Sequence, residues 1–223
     1  MPLPEPSAHQ VGHVLRLRPG DHIMLLDNSG DECEVELTAF GRGGITCRVL
    51  ARRAAPAEAG PRVTIYQCLL KGEKFGWVLQ KATELGVAEI VPVVSERTVA
   101  AEGKRERWER IVREAAEQSC RARLPVLHDP IPWRAAVAHA AAAGSPALVP
   151  WEEADPNTPL GPALSRARSA PGAGLFIGSE GGLTADEIAL AGAAGIVAVS
   201  LGPRAFRAET AAVAALALLL IPT

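Results

Sequence analysis

From residue 62 onward the chain alternates between short apolar runs and longer stretches in which apolar residues return every three or four positions. "VTIYQCLL", "EIVPVVS", "ALVPW", "GLFIG" and "IVAVSLG" are runs of the first kind. They predict strands buried on both faces. "EKFGWVLQKATELG", closed by Gly86, and residues 103–122 are stretches of the second kind and predict helices. The alanine-rich stretch 135–143 predicts another covering helix. Strands alternating with helices make a parallel sheet covered on both faces, and such sheets bind ligands in the loops at the carboxyl ends of their strands.

Residues 22–50 have a different rhythm. "HIMLLD", "CEVELTA" and "GITCRVL" are β-rich runs separated by "NSGDE" and "FGRGG", where Asn28, Gly30, Gly41, Gly43 and Gly44 supply turn chemistry. They predict a small N-terminal β module. "ARRAAPAEAGP", residues 51–61, has no periodicity and reads as a linker.

Composition narrows the function classes. The chain has 223 residues, 48% hydrophobic and 22% charged, enough for a buried core without staples. A net charge of −2 excludes a generic nucleic-acid coat but allows a local basic patch. Cys33, Cys47, Cys68 and Cys120 are widely spaced, with no C-x-x-C pair and no histidine cluster, so buried free thiols are expected and no metal site. The opening "MPLPEPSAHQ" lacks signal-peptide features. The apolar run 211–221 falls short of the ~20 residues of a membrane span. These features predict a soluble, cytoplasmic protein.

Candidate chemistry concentrates at strand ends: "VPWEE" (149–153), "GSEGG" (178–182) and "LGPRAFRAET" (201–210). No dinucleotide or P-loop signature is present, which disfavours nucleotide phosphates and a nucleotide hydrolase. Glu180 among the glycines points the same way, because a carboxylate repels a phosphate. A tight strand-to-helix turn is the plain alternative for "GSEGG". In the last loop Glu209 suits the first turn of a helix, whereas Arg207 at a helix start opposes the dipole and needs a partner. That partner is a local one or a substrate; the plain alternatives are an Arg–Glu salt bridge and an exposed arginine.

The ordered motifs "KATELGV" (81–87), "SERTV" (95–99), "EQSCR" (117–121), "GSEGGLTADEI" (178–188) and "LGPRAFRAETA" (201–211) resemble those of bacterial 16S ribosomal RNA uracil-N3 methyltransferases, in the SPOUT superfamily. "HVLRLRPGD" (13–21) resembles the start of that family's PUA-like β-barrel. The resemblance covers almost the whole chain. The family usually has proline at Ser179 and an aliphatic pair at Ala205 and Phe206, and a longer, basic and aromatic N-terminus.

The resemblance implies a PUA-like RNA-binding barrel over residues 1–58 and a SPOUT methyltransferase domain over 62–223, an α/β parallel sheet with a C-terminal trefoil knot. It implies S-adenosylmethionine as cofactor, held by Leu148, Val149, Pro150, Ile177, Gly178, Ser179, Glu180, Gly181, Gly182, Leu201, Gly202, Ala205, Phe206 and Arg207. The reaction implied is methylation at N3 of a uridine of 16S rRNA, U1498 in the family, with the small ribosomal subunit as partner and a homodimer as the working form. Arg204, Arg207 and Glu209 are the candidate catalytic residues: guanidiniums for charge developing on the base, and a carboxylate as general base unless water takes the proton. Arg16, Arg18, Lys71, Lys74, Arg97, Arg121 and Arg123 are the candidate RNA contacts. The helix carrying Lys104, Arg105, Arg107, Arg110 and Arg113 is basic too, but Glu106–Arg110, Glu109–Arg113 and Glu117–Arg121 have the spacing of ion pairs on a solvated face. Methylation of another RNA base or of a ribose hydroxyl is the rival within the fold. A non-catalytic RNA-binding assembly factor is the rival outside it.

Overall fold

The computed structural model describes residues 1–41, 44–58, 60–99, 105–155 and 160–221; Gly43 and Lys104, named above, lie outside them. The chain divides into two compact units, Met1–Ala59 with Cys120–Arg123, and Gly60–Ser119 with Leu124–Thr223.

In the first unit a short helix, α1 (Glu5–His9), runs on into a π turn (Gln10–Val14). Three antiparallel strands follow in sheet order: β1 (His22–Leu26), β2 (Asp31–Gly41) and β3 (Gly44–Ala54). Alternate β2 residues Cys33, Val35 and Leu37 point into a core completed by Leu3, Val11, Ile45 and Cys47. Strand β3 takes up the first four residues of the expected linker, with Ala51 opposite Glu34 and Ala54 opposite Asp31. Its residues 51–54 are exposed, so no hydrophobic alternation marks them. The backbone ladder holds them instead, with Arg52 paired to Asp31 at 2.7 Å and Arg53 to Glu32.

The second unit follows the βα alternation. In chain order it contains β4 (Arg62–Cys68), α2 (Lys74–Leu85), β5 (Glu89–Val94), α3 (Arg105–Gln118), β6 (Val126–Leu127), β7 (Ile131–Pro132) and α4 (Trp133–Ala143). It continues with β8 (Ala147–Pro150), α5 (Leu160–Ser169), β9 (Gly172–Ile177), α6 (Ala185–Ala193), β10 (Val197–Val199) and α7 (Ala208–Leu220). The strands are parallel in the order β10-β8-β9-β4-β5-β6, with β7 also pairing β5. Side chains on one face (Val63, Ile65, Leu148, Leu175, Ile177) meet α2, α3 and α7; those on the other (Tyr66, Val91, Val149, Phe176) meet α4 and α6. Phe176 stacks on Tyr66 with ring centres 4.2 Å apart, and Trp133 closes on its other side. Gly86 ends α2 at φ 103, its N–H bonding back to the last turn, which a residue with a Cβ rarely does. No described helix is long and apolar enough to cross a membrane, and no three described His, Cys, Asp or Glu residues converge on a metal position.

Helix α3 is shorter than the pattern predicts. It stops at Gln118, and Cys120 takes φ 54, a left-handed conformation that cannot continue a helix. Cys120 is therefore exposed, whereas the other three thiols are buried as expected; all four are unpaired. The ion pairs on α3 are Arg105–Glu109 and Arg110–Glu114 rather than the predicted set, and Arg107 reaches Glu73 on the neighbouring helix turn.

Residues 120–123 belong to the first unit, and this corrects one expectation. Arg121 does not face solvent as an RNA contact. Its guanidinium is 5% exposed and grips Glu58 through Nη2–Oε2 at 3.1 Å and Nε–Oε1 at 3.3 Å. Glu58 Oε1 also accepts the Arg123 N–H at 3.1 Å. Removing one partner of a buried pair strands a charge in low dielectric, so Glu58→Ala should lower stability by about 3 kcal/mol, read as an earlier midpoint in urea unfolding.

Candidate functional site

The loops after β8, β9 and β10 converge at the carboxyl ends of the parallel strands, where β9 is inserted between β8 and β4. They enclose a cleft of about 700 Å³. Pro150, Trp151 and Glu152 line it from the first loop; Ile177, Gly178, Ser179, Glu180 and Gly182 from the second; Leu201, Gly202, Arg204, Ala205, Phe206 and Arg207 from the third. Glu209, in the first turn of α7, and Lys74, in the first turn of α2, complete the wall. A crevice at this place is where open α/β sheets bind ligands.

The "GSEGG" loop is open backbone because its neighbours leave no room for side chains. Gly182 sits at φ +72, and a Cβ there would lie 2.6 Å from Glu152 Oε1. A Cβ on Gly181 would lie 3.0 Å from Arg97 Cβ and 3.3 Å from Arg97 O. Arg97 Nη1 donates to Gly181 O at 3.0 Å, and the buried Ser179 hydroxyl donates to Arg97 O at 3.3 Å. Thr184 and Glu187 form a capping box at the start of α6, and Glu187 Oε1 also accepts the Glu96 N–H at 2.9 Å. The segments after β5 and β9 are thus tied together behind the cleft. Arg97, predicted as an RNA contact, is a strut of this loop.

Glu180 receives two hydrogen bonds on Oε1, from the Lys71 N–H and from Lys74 Nζ, each at 3.1 Å. Burial pushes its carboxyl up, but the Lys74 hydrogen bond and the Lys71 N–H outweigh this, and the group titrates below its ordinary value. The cleft wall therefore holds an ionised carboxylate beside a lysine, and Lys74 is engaged in this pair.

The third loop is built differently. Arg204 and Arg207 are exposed, and their guanidiniums make no hydrogen bond or ion pair with any described residue. The Arg207–Glu209 pair does not form. Glu209 Oε2 is buried without a hydrogen-bond partner, as is the Trp151 indole nitrogen. Arg207 occupies the N-cap of α7 without a side-chain cap, so the helix opens toward the cleft with its first N–H groups uncapped by a side chain. Two guanidiniums and a helix N-terminus favour an electron-rich ligand group at this end. Glu152 and Glu180, on the other two loops, favour a cationic one in the same cleft.

Two predicted cofactor contacts have no side chain in the cleft. Leu148 and Val149 are buried in the two cores on opposite sheet faces, because a strand interior alternates between them; the wall begins at Pro150. Arg16, Arg18 and Arg123 are exposed in the first unit, and Lys71 is exposed in the second. Trp151, Glu152 and Leu183 line the cleft without having been singled out, although the first two stand in the flagged "VPWEE" stretch. Cys68, at the end of β4, is no nucleophile: burial pushes its thiol up to about 12.

Because Glu180 titrates below its unfolded value, its ionised form stabilises the loop above the ordinary carboxylate range, and that contribution is lost as pH falls through the folded value. Lys74→Met removes the strongest opposing pull and leaves burial in place. The Glu180 titration, followed by carboxyl-carbon NMR, should then move upward; an unchanged midpoint would disprove the tie.

The chain has close counterparts among known proteins. A family model described as an RNA methyltransferase domain matches residues 58–220, and one described as an RNA methyltransferase PUA domain matches residues 3–50. Ribosomal RNA small subunit methyltransferase E of Synechocystis sp. is 38% identical over 212 residues, covering 94% of this chain and 69% of that protein. The Bacillus subtilis protein of the same name is 32% identical over 219 residues, covering 94% and 85%. Among solved structures, ribosomal RNA small subunit methyltransferase E from Neisseria gonorrhoeae, bound to S-adenosyl methionine, superposes with a TM-score of 0.85 at 33% identity, covering 97% of this chain and 89% of that one. With both domains matched in order and the likeness running nearly end to end, this chain belongs to the ribosomal RNA small subunit methyltransferase E family.

Proposed function

We propose that the cleft binds S-adenosylmethionine and transfers its methyl group to N3 of one uridine of 16S rRNA, U1498 in the family. The observation that carries this reading is the division of one cleft into a glycine-walled, carboxylate-bearing part and a part with two unpaired guanidiniums at a helix N-terminus. Glycine backbone at Gly178 and Gly182, with main-chain groups at Pro150, Leu201, Gly202 and Ala205, suits close approach to an adenine edge and a ribose. Glu152 and Glu180 suit the cationic sulfonium. The imide N–H of uracil is weakly acidic, and its negative charge spreads to the flanking carbonyl oxygens as the proton leaves. Arg204, Arg207 and the α7 N-terminus stabilise that charge. In line, the N3 electron pair forms the new N–CH₃ bond while the S–CH₃ pair stays on sulfur, and the imide proton passes to Glu209 or to water.

The rest of the reading follows the same family. The insertion of β9 between β8 and β4, with β10 outside β8, supports a C-terminal trefoil knot. The antiparallel strands of residues 1–58 serve as an RNA-binding PUA-like barrel, with Arg16, Arg18 and Arg123 offered to RNA, and residues 62–223 carry the transferase. Leu218, exposed on the apolar α7, and Ile221, exposed at its C-cap, support a homodimer. The protein acts in the cytoplasm on the small ribosomal subunit.

The test is nucleoside mass spectrometry of 16S rRNA after incubation with the purified protein and methyl-labelled cofactor. Label in N3-methyluridine is expected; label in another nucleoside would refute the uracil assignment. Arg207→Ala should cost about 100-fold or more in kcat while calorimetry finds cofactor affinity retained.

A further inference from the structure

Ser179 stands in the wall of the cleft, yet its hydroxyl is engaged behind it. The residue is 6% exposed, and its Oγ donates to Arg97 O at 3.3 Å, with Gly182 O 3.5 Å away. Its own carbonyl accepts the Gly182 N–H at 3.0 Å. Arg97 belongs to the turn after β5, and none of residues 95–98 lines the cleft. That turn is itself locked. The Thr98 N–H bonds to Ser95 O at 3.0 Å, and the Thr98 hydroxyl meets the Ser95 N–H at 3.0 Å and the Ser95 hydroxyl at 2.8 Å.

We propose that the Ser179 hydroxyl is a positioning group for the cofactor, a latch that holds the glycine loop in its binding shape before any ligand arrives. The inference rests on the reading of this cleft as the S-adenosylmethionine site, and it holds whichever part of the ligand meets the loop. Three of the five residues 178–182 are glycines, whose backbone is freer than that of any other residue. A loop so composed spreads over many conformers unless something outside it fixes one. The Lys74 and Arg97 side chains reach it at Glu180 and Gly181, but both are long and partly exposed, so water competes with them. The Ser179 bond runs through a short, buried side chain to main chain that is already held. A cofactor that meets a loop already in shape is spared the cost of ordering it. Where only a fraction of molecules is competent, the apparent Kd rises by the inverse of that fraction. The loss then falls on the association rate, because the bound complex keeps all its contacts. Proline at 179 would stiffen the loop by another means, since its ring fixes φ without a hydroxyl. Its cost is the Ser179 N–H, whose partner is the Cys68 thiol, a weak acceptor. Gly178 before it tolerates the restriction that proline imposes on its neighbour.

Stopped-flow binding of S-adenosylmethionine to the full-length protein, followed by tryptophan fluorescence with Trp151 in the cleft wall, tests this. Ser179→Ala should lower the association rate constant about fivefold, the size of one lost hydrogen bond, and leave the dissociation rate constant within about twofold. Ser179→Pro should recover most of the lost association rate. A fall in affinity carried by faster dissociation would make Ser179 a direct cofactor contact and overturn the proposal. So would an unchanged association rate in Ser179→Ala, or a Ser179→Pro variant that folds and binds no faster than Ser179→Ala. Should Ser179→Pro fail to fold, the alanine variant decides by the same two rates. If the wild-type protein binds no S-adenosylmethionine, the reading of the cleft itself fails. If it binds and Ser179→Ala matches it in both rates, only the role of Ser179 fails.

Discussion

A parallel strand set between two others must bury both its faces and pair every backbone group along its length. Strand β9 does this between β8 and β4, and the site depends on it. Once β9 is there, its carboxyl end emerges between the ends of its neighbours, and the chain must leave in a tight turn. Gly178, Gly181 and Gly182 provide that turn where Leu183, Arg97 and Glu152 crowd it. The core side chains of β9 then fix the cleft's floor: Ile177 belongs both to the packed interior and to the cleft wall. Position at the site is thus inherited from packing of the sheet, where interiors tolerate little slack.

Charge does the remaining sorting. Glu180 is held ionised by Lys74 and the Lys71 N–H, and Glu187 is spent on Thr184 and Glu96, so neither roams. Arg204 and Arg207 are left without such partners, beside an uncapped helix start. Arg121, which is buried, is held by Glu58, whereas Arg204 and Arg207 are exposed, where solvent or a ligand can complete them.

Much of this was legible in the chain. Periodicity marks the strands and helices of the second unit because both sheet faces are buried, and Gly86 marks a helix end because its φ is closed to other residues. The three cleft loops carry unusual glycine and charge, so they stand out as well. Residues 51–54 did not, since a strand exposed on both faces has no hydrophobic signature. Arg121 was misread because spacing on a helix says nothing once the helix has stopped; Cys120 breaks it through a backbone angle that no side-chain pattern encodes. Leu148 and Val149 turn their side chains into the two cores, and motif position does not tell a strand's last inward residue from the loop's first. The roles of Arg97 and Glu187 as ties depend on contacts over 80 residues away in sequence, which no local reading supplies.

The Arg121–Glu58 pair has a consequence for how the molecule is made. The first unit is discontinuous: it needs residues 120–123 as well as 1–59. A chain synthesised from its N-terminus therefore exposes Glu58 long before its guanidinium exists. The first unit, though first in sequence, cannot complete its own interior until more than half of the polypeptide has left the ribosome. A fragment cut at the apparent boundary would carry an orphaned carboxylate at its edge.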